Sequence, residues 1–396
     1  MSTRRQFLQQ SALVSLAPWL PAFLPQSLSA AEAAEDDRIL VVIQLDGGND
    51  GLNTVIPFRD EHYAAVRSTL RLAEKDLHKL DDAVALHPGM KAAAELFGDG
   101  RLSIVQGVGY PNPNRSHFES MSIWQHARLD ESQHDSLGWL GRAADAHPVD
   151  PLRGPDAVYV GREDIPVAIR GRRSNAVSLA DESDLQLMTP LSLTAAATKT
   201  DDLTAFVQRS VSTSYDAAKR FAEAEGKSTT SDATYPTNAL AQKLQLAARM
   251  IKLGGGTRVF YVSQPGYDTH SAQVDAHRRL LNEFSRGLKA FLDDLHASKL
   301  EERVVVLAFS EFGRRVQENG SAGTDHGAAG PVFLAGRPVA GGVLGPHPSL
   351  TDLDNGDLKM STDFRDIYAT LLTEWLRLPA NELQGRPSLP LLANRS

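Results

Sequence analysis

The chain of 396 residues contains no cysteine, so no disulfide can brace it and no thiolate can act as nucleophile or soft metal ligand. It also lacks any basic run longer than Arg170-Gly171-Arg172-Arg173, and its net charge is −8, which excludes a surface built to track a nucleic-acid backbone. The N-terminal apolar stretch from Ala12 to Leu24 is too short to span a bilayer comfortably and is interrupted by Pro18 and Pro21, which argues against a permanent membrane anchor. Neither an internal repeat nor a low-complexity tract is present, apart from the Ser/Thr-rich stretch Ser228 to Thr234, which reads as a loop. A hydrophobic content of 42% is that of a globular protein.

Ahead of the short apolar stretch stand two adjacent arginines, in Thr3-Arg4-Arg5-Gln6-Phe7-Leu8, and behind it small residues from Ser27 to Ala34 offer cleavage points. That layout predicts a twin-arginine signal over residues 1–34, with the Tat translocase as a transient partner and the periplasm or extracellular space as destination. The alternative is a chance Arg-Arg pair before a core helix. Freedom from cysteine agrees with export in the folded state. About 360 residues remain, enough for one large α/β domain over 35–396.

The run Arg38 to Leu45 is continuously apolar from Ile39 to Ile43 and ends at Asp46-Gly47-Gly48, which predicts a buried parallel strand opening into a glycine-rich loop. Met90 to Phe97 reads as a helix, Leu102 to Gln106 as a second strand, and Tyr110 to His117 as a polar loop. Helix is expected again over Thr237 to Leu253, Ala276 to Leu295 and Asp363 to Leu376, and strand over Arg258 to Val262, Arg303 to Phe309 and Pro331 to Gly336. Strand, helix and strand in alternation imply right-handed crossovers and a mostly parallel sheet flanked by helices. Residues 130–236 carry weaker periodicity and read as a cap or insertion on that sheet.

Separate strand ends deliver residues able to hold a divalent cation: Asp46, Asp268 with His270, Glu311, and Asp325 with His326. Loops at the carboxyl edge of one sheet bring such residues together from distant positions, and carboxylate oxygens with imidazole nitrogens suit zinc, manganese, magnesium, calcium or iron. Asp268 and His270, two apart, project to the same side of an extended segment. Blander readings stand beside these. Asp46 to Gly51 is also a turn composition, Asp325-His326-Gly327 also suits a surface turn, and Glu311 can instead pair with Arg314 or Arg315. The remaining histidines, His126, His134 and His277 among them, read as surface or satisfied side chains.

Three segments carry a family resemblance: Gln44-Leu45-Asp46-Gly47-Gly48-Asn49-Asp50-Gly51-Leu52-Asn53-Thr54, the loop Pro111 to Met121, and Phe309-Ser310-Glu311-Phe312-Gly313-Arg314 with Thr324-Asp325-His326-Gly327. They resemble the bacterial exported family labelled domain of unknown function 1501, which is similar in turn to the alkaline phosphatase and sulfatase superfamily. The resemblance implies a three-layer alkaline-phosphatase-like α/β fold and a divalent metal. It also implies hydrolysis of an anionic phosphate or sulfate ester, or a non-catalytic binding protein that keeps the fold and a degraded metal site. It makes Asp46 the first-strand ligand, Asp268 and His270 a mid-chain pair, and His326 the last ligand. The pattern departs at Phe312, where many relatives have an imidazole, so one ion held tightly and a weaker or missing second are expected, with Asp325 as a neighbouring substitute. The nucleophile position falls in Asn112 to Ser120, where Ser116 is the best-placed hydroxyl, although serine is equally a helix N-cap. His117 is then a candidate acid or base and Arg115 a candidate anion clamp.

Overall fold

The run Ile39–Asp46 forms β1, and its side chains are buried alternately in two separate cores, Ile39, Val41, Ile43 and Leu45 in one, Leu40 and Val42 in the other. Burial on both faces is why the run is continuously apolar rather than alternating. The computed structural model describes residues 38–146, 155–180, 233–380 and 383–393. The expected signal, 1–34, lies outside them.

Eight further strands join β1: β2 Leu102–Gly109, β3 Ala157–Val160, β4 Ala176–Leu179, β5 Val259–Pro265, β6 Val304–Phe309, β7 Gly330–Ala335, β8 Gly342–Leu344 and β9 Thr362–Asp363. They form one sheet in the order β8-β2-β7-β6-β1-β5-β3-β4, with β9 beside β2. Every pairing is parallel except the two made by β7, as the alternation of strands and helices predicts.

The helices that flank the sheet are α1 Lys91–Gly98, α2 His117–His126, α3 Trp139–Ala144, α4 Ala239–Leu253, α5 Gln273–Ala297 and α6 Phe364–Thr370. Leu96 of α1, Leu244 of α4, and Phe284, Leu288 and Phe291 of α5 fill the core on one face. On the other, α2, α3 and α6 supply an aromatic cluster in which Trp124 stacks on Phe309 and Phe364, at 4.8 and 4.3 Å between ring centroids, and Trp139 stacks on Tyr368 at 3.8 Å. Helix layer, sheet and helix layer make the three-layer α/β arrangement.

Residues 130–236 differ from expectation in their described part: β3 and β4 extend the main sheet at one end, and α3 belongs to a helix layer. Strands of only four residues are too short to register as a periodic pattern. The rest of that stretch, 147–154 and 181–232, lies outside the described residues. Among the described residues no helix is long and apolar enough to cross a membrane.

The direction of β7 positions the site. Since β1, β2, β5 and β6 point the same way, their exits share one edge, and β7, running against them, enters the sheet there. The segment between β6 and β7 therefore never leaves that edge. It sets Glu311 just past β6 and Asp325 with His326 just ahead of β7, beside Asp268 and His270 from the exit of β5.

Candidate metal centre

Three imidazoles converge on one carboxylate oxygen. Asp268 Oδ1 lies 3.0 Å from His270 Nε2, 3.1 Å from His326 Nε2 and 3.5 Å from His117 Nε2. Each ring is held by its other nitrogen: His117 Nδ1 is 2.8 Å from Glu311 Oε1, His270 Nδ1 3.3 Å from Asp325 Oδ1, and His326 Nδ1 2.7 Å from the carbonyl of Arg115. Because carboxylate and carbonyl oxygens only accept, each Nδ1 carries a proton; a neutral ring then presents its Nε2 lone pair inward, and a protonated ring its Nε2–H. The Nε2 atoms of His270 and His326 are 2.9 Å apart, and that of His117 is buried with no hydrogen-bond partner. His117, Asp268 and His326 offer atoms that all lie within 4.8 Å of one another, and His270 reaches the latter two.

One permanent cation faces this group. Arg314, fully buried, extends Nη2 to Asp268 Oδ1 at 2.7 Å and gives its other hydrogen bonds to backbone carbonyls: Gly48 at 2.6 Å, Thr324 at 2.8 Å, Tyr267 at 3.0 Å, and Gly47. It thereby ties the exits of β1 and β5 to the segment after β6. Burial raises the Asp268 carboxyl, but hydrogen bonds from Arg314 and His326 outweigh it and bring the pKa down to about 2. Hydrogen bonding to Glu311 raises His117 above the ordinary imidazole range. Gly47 and Gly48 are required here, with φ of +117° and +73°: a Cβ at Gly47 would strike the backbone of Asp268, and one at Gly48 the ring of Phe312.

Several expected site residues make other contacts. Glu311, expected as a ligand or as a partner of Arg314 or Arg315, instead accepts from the Gly47 N–H at 2.9 Å, from His117 and from Ser310 Oγ at 2.9 Å, so it orients rather than joins the group. Asp325 likewise supports His270 and accepts from Asn319 Nδ2 at 3.0 Å. Asp46 is bonded to Gln44 Nε2 and stands outside the group of converging atoms. Burial pushes its pKa up to about 6 against the lowering effect of Gln44, with Glu311 raising it further. Ser116 makes a capping contact, its Oγ accepting from the Glu119 N–H at 3.5 Å, and His117 is the first residue of α2. Arg115 turns its guanidinium to the buried carboxylate of Asp357. Phe312 is buried with its ring centroid 5.0 Å from that of His117 and 4.8 Å from that of His326, so it packs against the two imidazoles it cannot replace.

Asp46, His117, Asp268 and Glu311 also line one end of an open cavity of about 500 Å³, whose remaining wall includes Phe118, Met121, Ser122 and Gln125 of α2, and Val167. Sequence reasoning passed over this wall, yet its signal was present: 118, 121, 122 and 125 are spaced i, i+3, i+4, i+7, one face of a helix. In the sequence Arg314 reads only as a partner for Glu311, because nothing local shows that a guanidinium will be buried among carbonyls.

Comparison with curated proteins gives no match. Among solved structures, the chain is similar to a sulfatase from Pseudoalteromonas sp., at 11% identity over 96% of this chain and 74% of that one, with a TM-score of 0.41. It is similar also to the lipoteichoic acid synthase LtaP of Listeria monocytogenes, at 9% over 79% and 67% with a TM-score of 0.33. Alkaline phosphatase from the Antarctic bacterium TAB5 matches at 9% over 76% and 91%, with a TM-score of 0.30. The family model described as Protein of unknown function (DUF1501) matches residues 37–378, nearly the whole described chain, and the chain belongs to that family.

Proposed function

We propose that the chain is a divalent-cation-dependent hydrolase of phosphate or sulfate esters, acting outside the cytoplasm after Tat export. The observation that carries the reading is the inward crowding of lone pairs. Three Nε2 atoms and Asp268 Oδ1 face one another, the Nε2 atom of His117 has no hydrogen-bond partner, and two other Nε2 atoms lie 2.9 Å apart. Lone pairs so placed repel unless a proton or a cation lies between them, and each imidazole has the outer partner that metal-binding histidines usually have. The residues fit a metal: His117, His270, His326 and Asp268 would hold it, and three nitrogens with one oxygen favour zinc, manganese or iron over magnesium or calcium. When bound, such an ion supplies charge stabilisation to an anionic ester as it reacts.

The chain's own residues supply the proton handling. With Ser116 engaged as a cap, the attacking oxygen is assigned to a water rather than a serine. Asp46, at the cavity wall with a pKa of about 6, is mostly ionised at neutral pH and placed to take the proton from that water. Returned to the departing oxygen, the proton completes the exchange of ester and water for alcohol and free phosphate or sulfate. Arg314 keeps Asp268 ionised, and Phe312 fixes the tilt of two rings.

A rival reading, a binding protein on the same fold, draws support from the two engaged side chains, Ser116 and Arg115. The two separate when the full chain, loaded in turn with zinc, manganese and iron, is offered phosphomonoesters, phosphodiesters and sulfate esters. Turnover that is abolished by chelation and restored by metal supports the hydrolase. Retained metal without turnover of any of the three supports the binding protein.

A further inference from the structure

The cavity lined by His117 and Asp268 also carries the apolar side chains of Phe118, Met121 and Val167, and these show which ester fits. Phe118 is 88% exposed although it stands on the helix that carries His117, and Met121 and Val167 line the same cavity. An aromatic ring left in water beside a site of converging polar groups is the arrangement of a pocket that covers an apolar ligand. Polar atoms of the same wall are already turned on one another. Gln125 gives Nε2 to Gln44 Oε1 at 3.2 Å and takes the Val167 N–H at 3.0 Å, while Ser122 Oγ lies 2.9 Å from His134 Nδ1 and 3.2 Å from His126 Nδ1. Among the described residues lining the cavity none is lysine or arginine, and the nearby guanidiniums of Arg115 and Arg314 are held by Asp357 and by Asp268 with four carbonyls. A sugar bearing many hydroxyls or several anionic groups would leave them unpaired against this wall.

We infer that the substrate is the ester of an apolar alcohol, aryl or alkyl, with its single anionic group at the His117–Asp268 end and its apolar body against Phe118, Met121 and Val167. This rests on the hydrolase reading for the anionic end only; the apolar body's site follows from the wall itself.

The test is calorimetric binding to the zinc-loaded full chain, using methylphosphonate, phenylphosphonate and inositol hexakisphosphate, with phenol as a probe lacking an anionic group. A ring adds enough buried apolar surface for phenylphosphonate to bind about tenfold or more tightly than methylphosphonate. Phe118→Ala, which alters an exposed side chain, should cut that preference to about threefold or less. Met121→Ser serves as an independent second variant with the same expected direction. Equal affinity for the two phosphonates in the unaltered chain, a preference undiminished in both variants, or tighter binding of inositol hexakisphosphate would overturn the inference. If neither phosphonate binds while phenol binds and is lost in Phe118→Ala, the apolar site stands and the hydrolase reading falls.

Discussion

His326 makes the most informative single substitution, because it is held from behind by the Arg115 carbonyl, contributes Nε2 to the group and meets the core at the ring of Phe312. His326→Ala should lower metal affinity by about tenfold to a hundredfold or more, measured by competition with a chromophoric chelator, while the thermal midpoint of the metal-free protein stays nearly unchanged. A metal affinity equal to that of the unaltered chain would remove His326 from the ligand set. Asp50 behaves in the opposite way. It is fully buried against Arg67, at 2.6 and 3.0 Å, and Asp50→Ala strands that guanidinium, so unfolding stability should drop by about 3–5 kcal/mol in denaturant titration. The sequence made the convergence of Asp268 and His270 legible because their spacing sends both to one side. It could not separate Asp46, at the cavity wall, from Asp50, in the core, since both stand in the same glycine-rich run and only the placement of Arg67 distinguishes them.

At the level of elements, α2 decides the site, and Ser116 tests how. If its hydroxyl does no more than cap the helix, Ser116→Ala costs about 0.5–2 kcal/mol of stability and leaves turnover within about threefold. A loss of turnover by orders of magnitude at unchanged stability would instead make Ser116 the nucleophile and displace water from the mechanism above. The glycine-rich turn after β1 should be less forgiving: Gly48→Ala combines a positive φ with a collision against Phe312, and it is expected to disturb the two imidazoles that Phe312 contacts. The elements themselves were largely legible, since β1, β6 and α5 bury long apolar patterns. Two features were not. The antiparallel sense of β7 leaves no trace in a six-residue apolar run, and the role of α2 as a cavity wall emerges only when the stripe 118, 121, 122 and 125 is seen to face open space instead of the core.

For the whole molecule, one consequence follows from burial. His277 lies fully buried behind the glycine-rich loop, 2.9 Å from Asn49 Oδ1, and burial, only partly offset by Asp50, brings its pKa from 6.5 down to about 4. Between those values the unfolded chain binds a proton that the folded chain refuses. Stability from this group is therefore complete above pH 6.5 and falls by about 3 kcal/mol as pH drops to 4, with no further loss below. His277→Gln should flatten the stability profile across that window, read by urea midpoints at successive pH values. Export is testable independently: replacing Arg4 and Arg5 by lysine should leave the chain in the cytoplasm on fractionation, whereas unchanged export of the double variant would remove the twin-arginine assignment.

The central claim is that three imidazoles and Asp268 hold one divalent cation at the carboxyl edge of the sheet, and metal stoichiometry tests it most directly. Full chain loaded with zinc or manganese and then extensively dialysed should retain about one ion per chain by elemental analysis, and Asp268→Asn with His326→Ala should retain almost none while remaining folded. Two tightly held ions per unaltered chain, or undiminished metal in the double variant, would contradict the account.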